Sequence, residues 1–88
     1  MYVYFVRSGK KGAIKIGKAV DVKRRILELQ VGNPSKLSLI AKIRCRSQEV
    51  ADDLEKELHI RFKKQWIRGE WYHRNLRLKD VLEKHECE

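Results

Sequence analysis

At 88 residues the chain has room for one folded domain, expected over residues 1–88, and for no second core. Its 42% apolar and 38% charged residues are interleaved, which excludes a disordered block and points to a globular unit. A formal net charge of +9 points to an anionic partner, with nucleic acid ahead of a membrane surface.

The charge is unevenly placed. Residues 1–46 carry twelve Lys and Arg against Asp21 and Glu28, a balance of +10, whereas residues 47–88 carry nine against ten. A basic half beside a nearly neutral half reads as one binding surface, with a merely solvated face as the plainer alternative. No run approaches the roughly 18 apolar residues of a membrane span, and the N-terminus lacks a charged start followed by a long apolar stretch, so a cytoplasmic location and no membrane partner are expected. Cys45 and Cys87 are far apart with no C-x-x-C, which argues against a disulfide framework or a zinc module. Cys45 reads as a small buried apolar residue, and Cys87 lies in the terminal His85-Glu86-Cys87-Glu88, a frayed tail that has metal-binding residue types.

Val3 and Phe5 alternate with Tyr2, Tyr4 and Val6, Ser8 to Gly12 interrupt, and Ile14 and Ile16 then alternate with Ala13, Lys15 and Gly17, the pattern of a β-hairpin. A four-residue loop over Ser8 to Lys11 would set Tyr4 opposite Lys15 on one face. Asp21 predicts the N-cap of a helix over residues 22–31, stopped by Gly32-Asn33-Pro34. Its apolar stripe is Val22, Ile26 and Leu29, beside which Arg25 is placed to reach the sheet while Arg24 points to solvent. Leu37, Leu39, Ala41, Ile43 and Cys45 alternate with Ser38, Ile40, Lys42, Arg44 and Arg46, which predicts a strand with one core face and one basic face. Ser47 caps a second helix from residue 48 to about residue 64, with a stripe of Val50, Ala51, Leu54, Leu58 and Phe62 and with Glu55 and His59 together on its flank. After Trp66, Gly69-Glu70-Trp71-Tyr72 reads as a turn into a short extended piece, and Asn75 as the cap of a last short helix carrying Leu78, Val81 and Leu82. The expected fold is α/β of the α+β kind: a small three-stranded antiparallel sheet flanked by helices, in the order β-β-α-β-α plus a C-terminal helix.

Polar groups at the borders of apolar faces are the candidates for chemistry: Tyr4, Lys15, Arg25, Glu55 and His59. A phenol beside an ammonium group has its anion favoured, so a Tyr4–Lys15 pair suggests a general base. An arginine stabilises charge growing on a phosphoryl group, and a partly buried carboxylate suits Mg²⁺. Each has a plainer reading. Tyr4 is a strand aromatic, Lys15 and Arg25 are members of a basic surface, and Glu55 with His59 is an i,i+4 pair.

The order of these residues resembles the GIY-YIG nuclease superfamily, and within it the small phage and bacterial subfamily whose second motif reads K-I-G. Tyr2-Val3-Tyr4 stands where that family has G-I-Y, and Lys15-Ile16-Gly17 where it has Y-I-G or K-I-G. Arg25 to Gln30 resemble its arginine helix, Leu54-Glu55-x-x-Leu58-His59 with Phe62 its acidic helix segment, and Gly69-Glu70-Trp71-Tyr72 its closing motif. The resemblance implies metal-dependent hydrolysis of a DNA phosphodiester. On that basis Tyr4 and Lys15 would activate water, Arg25 would clamp the phosphate, Glu55 would hold one Mg²⁺ or Mn²⁺ ion, and His59 would move a proton. Glu70 and Trp71 would support the site, and Lys18, Lys23, Arg24, Lys42 and Arg44 would contact DNA. With no attached recognition domain in the sequence, specificity would come from this unit, a homodimer or a partner protein. Two other readings compete: a DNA-binding module that keeps the fold without the chemistry, and an interaction accessory that pairs through Leu27, Val31 and Ile60.

Overall fold

In the computed structural model, which describes residues 1–84, the alternating N-terminal segment forms the expected hairpin. Strand β1 (Tyr2–Ser8) runs antiparallel to β2 (Ile14–Ala19). The connection is longer than the four-residue loop expected, because the Ser8 amide donates to the Ala13 carbonyl at 3.0 Å. Gly12 turns inside this loop, where a Cβ would lie 1.8 Å from the Ser8 carbonyl oxygen. The register therefore moves by two residues: Arg7 faces Ile14, Val6 faces Lys15, and Tyr4 faces Gly17. A two-residue shift preserves the face, so Tyr4 and Lys15 are diagonal neighbours on one side of the sheet instead of direct partners.

Helix α1 (Val22–Val31) occupies the predicted span, with the Asp21 carboxylate accepting from the Arg24 amide at 3.1 Å and Gly32 at its end. It leads to β3 (Leu37–Arg44), which pairs with the far edge of β1. The pairing shifts between Phe5, opposite Ala41, and Val6, opposite Leu39, leaving Ile40 as an extra residue. That bulge reverses the alternation. Ala41 and Ile43 thus join one core while Leu37 joins the other, and Leu39, expected inside, is exposed. Ser47 caps α2 (Gln48–Arg61), its hydroxyl accepting from the Val50 amide at 3.2 Å. The helix stops before residue 64 and passes into a tight turn over Lys63–Gln65.

The sheet has five strands, not three. Trp66–Arg68 (β4) and Trp71–Tyr72 (β5) form a second hairpin around Gly69, whose φ of +53° suits glycine. Strand β5 pairs with β2, giving the order β3-β1-β2-β5-β4, antiparallel throughout. Strands of two and three residues are too short to show a period of two. The last helix, α3 (Lys79–Lys84), begins four residues after Asn75, which therefore does not cap it; the Leu82 amide bonds instead to the Leu78 carbonyl.

Strand β1 is central and covered on both sides. Val3 and Phe5 face α2 and α3 with Ile14, Ile16, Leu54, Leu58 and Val81; Tyr4 and Val6 face α1 with Val22 and Leu37. Complete burial of Val3, Phe5 and Val6 fixes this strand, each side chain contributing about 1.5–3 kcal/mol. Cys45 is buried, as expected. Leu27 and Val31 are exposed on α1 and Ile60 on α2. Those helices lie on opposite faces of the sheet, so the three do not form the single patch proposed from sequence.

Candidate functional site

Strand β5 covers β2 only at Ile14 and Lys15, and the Ile16 amide takes the Glu70 carbonyl at 3.0 Å. From Gly17 onward the outer edge of β2 has no strand against it among the described residues. Side chains from both faces of the sheet meet at this gap.

Tyr4 is held in place by the strand beside it. Its ring lies across Gly17, where a Cβ would sit 2.5 Å from Oη and 2.6 Å from Cζ. Arg25 approaches the phenol from α1 and lowers the cost of its ionisation. The Arg25 side chain is also 3.8 Å from Glu28, whereas Arg24 is 80% exposed and points away. Burial pushes the Tyr4 phenol above its ordinary pKa, the Arg25 guanidinium opposes this, and the nearby Glu70 and Glu55 charges push it further up. That direction favours the protonated phenol, the opposite of what a Tyr4–Lys15 pair would favour. The Lys15 ammonium goes elsewhere: it bonds Glu70 Oε1 at 3.0 Å and sits 5.6 Å from the centre of the Trp71 ring. With its side chain only 9% exposed, Lys15 needs Glu70 as its counter-charge.

Glu55 projects from the flank of α2 toward the same gap, where Glu70 lines the same cavity. Burial raises its pKa first, then the Glu70 carboxylate, with Lys18 and Lys15 opposing. Lys18 lies 3.9 Å from Glu55 but is bonded to Asp52, one turn earlier on α2 and not singled out by the sequence. The helical spacing of Asp52 and Glu55, three apart, was the available signal. His59 Nδ1 is 2.9 Å from the hydroxyl of Tyr72, another residue whose part was not foreseen, and its ring meets Trp66 edge-on at 5.9 Å. Glu55, His59, Glu70 and Tyr72, with Ile16 and Ile60, line a cavity of about 350 Å³. The candidates therefore fall into two groups, Tyr4 with Arg25 on the α1 side and Glu55 with His59 on the α2 side, joined by Lys15 and Glu70.

The expected DNA contacts spread more widely. Lys23 and Arg24 are exposed on α1, and Arg44 is exposed on β3. Lys42 is partly buried, with its ammonium 4.6 Å from the centre of the Tyr2 ring.

A family model, the T5orf172 domain, matches residues 1–86. The chain belongs to the T5orf172 domain family. This corrects the assignment to the GIY-YIG superfamily drawn from short motifs, and the reading as a metal-dependent DNA endonuclease, which rested on it, falls with it. No curated protein and no solved structure matches the T5orf172 domain described here. Among the described residues there is no group of three or more His, Cys, Asp or Glu side chains placed to hold a metal ion. The Glu55–Glu70 pair alone would leave most of an octahedral Mg²⁺ shell to other oxygen donors. The tail His85-Glu86-Cys87-Glu88 lies outside the described residues. No helix among those described is long and apolar enough to cross a membrane.

Proposed function

We propose that this T5orf172 domain binds DNA, holding backbone phosphates along the α1 side of its sheet. The observation that carries this is a row of cations and tyrosines set by strand register. Arg44 is opposite Tyr2, Lys42 opposite Tyr4, and Lys15 opposite Val6, so all of them share the face that Arg25 overhangs. Eight of the twelve Lys and Arg in residues 1–46 have no carboxylate of the described residues within 4.0 Å, Lys42 and Arg44 among them. Cations without internal partners are the groups that gain by replacing the counterions of a nucleic acid.

The test is fluorescence anisotropy with labelled duplex and single-stranded DNA between about 50 and about 200 mM salt. Affinity is expected to fall linearly on a log–log plot. Lys42→Ala and Arg44→Ala should each flatten the slope by about one phosphate contact without changing the fold. Binding that is absent, or insensitive to salt, overturns the proposal.

A further inference from the structure

The cavity of about 350 Å³ between α2 and the β4–β5 turn has a different chemistry from the basic face. Its walls are the apolar Ile16 and Ile60 and the ring of Tyr72, and two carboxylates, Glu55 and Glu70, open onto it. Lys56 also lines it, but the two carboxylates outnumber that one cation and disfavour a phosphate inside. The cations that would hold one stand beside them: Lys15 is 3.0 Å from Glu70 and Lys18 is 3.9 Å from Glu55. A nucleotide with its phosphate at these lysines would bring its base, not its phosphate, toward the cavity. Building on the DNA-binding reading, we infer that the cavity takes an unpaired guanine base of a bound DNA strand.

The size suits a small flat ligand, since binding cavities begin at about 300 Å³ and are mostly apolar with a few placed polar groups. The aromatic wall is fixed, because the Tyr72 hydroxyl is engaged by His59 Nδ1 at 2.9 Å. Guanine is selected by the carboxylates. Of the four bases it alone offers two adjacent N–H donors on its Watson–Crick edge, which one carboxylate accepts together. In a duplex that edge is already paired, so the base must come from a single strand or be turned out of the stack.

The experiment compares three single-stranded, thymidine-rich oligonucleotides that differ at one central position: guanine, adenine or an abasic site. Guanine should bind about tenfold tighter than the abasic probe, the scale of one well-held base, and tighter than adenine. Ile60→Gln, on an exposed position of α2, should remove most of that difference while the abasic probe keeps its affinity and salt slope. Equal affinity for all three probes with the salt slope intact overturns the guanine site and leaves DNA binding standing. Loss of all salt-dependent binding overturns both.

Discussion

Gly17→Ala tests the packing that holds the site together. The added methyl would sit 2.5 Å from Tyr4 Oη, 2.6 Å from Cζ and 3.0 Å from Cε2. The ring has little room to yield, because Tyr4 is 1% exposed on the central strand and packs with Val6, Val22 and Leu37. Overpacking of this kind costs about 1–3 kcal/mol. Against this, replacing a strand glycine by alanine gains about 0.5–1 kcal/mol of backbone entropy. The net expectation is destabilisation by up to about 2.5 kcal/mol, at roughly 4–8 °C of Tm per kcal/mol in a domain this small. Urea denaturation of wild type, Gly17→Ala, Tyr4→Leu and the double variant measures it. In the Tyr4→Leu background, which removes the ring's outer atoms, Gly17→Ala should become neutral or stabilising. If Gly17→Ala costs the same in both backgrounds, or costs nothing in either, the ring does not lie across Gly17 and the site's geometry is wrong.

Two further outcomes concern titration. The Glu55 carboxyl has a folded pKa above its unfolded value, so the folded state binds the proton more tightly and folding is penalised above the folded pKa; the penalty fades as pH falls and is gone below the unfolded value of 4.5. Glu55→Gln should therefore be more stable than wild type at pH about 8 and lose that advantage toward pH about 4; a variant less stable at high pH would show that Lys18 and Lys15 outweigh burial and Glu70. Tyr4 and Tyr72 are both pushed above the ordinary phenol value of 10.0, burial being the main cause in each. Ultraviolet titration should show two tyrosines ionising late, one lost in Tyr4→Phe and one in Tyr72→Phe. A tyrosine titrating early in wild type and absent from Tyr4→Phe would contradict the protonated phenol.

Short motifs identified the residues around the gap but not the family. The matched segments are three to six residues long, whereas the T5orf172 model spans residues 1–86 and weighs the whole pattern. Within the site, Arg25 over Arg24 was legible, because a helix of 3.6 residues per turn assigns each position to a face. The Lys15–Glu70 pair was not, because it joins residues 55 apart through a hairpin whose strands are two and three residues long.

Local pattern alone determined the first hairpin, the Asp21 and Ser47 caps, the stripe of α2 and the burial of Cys45, since each depends on neighbours within a turn or two of chain. Tertiary structure decided the rest. The bulge at Ile40 sent Leu37 and Ala41 to different cores, and the short β4–β5 hairpin carried Glu70 to Lys15 and to the cavity it shares with Glu55. These depend on which distant segments share a sheet edge, and side-chain periodicity says which way a residue faces without saying what it meets.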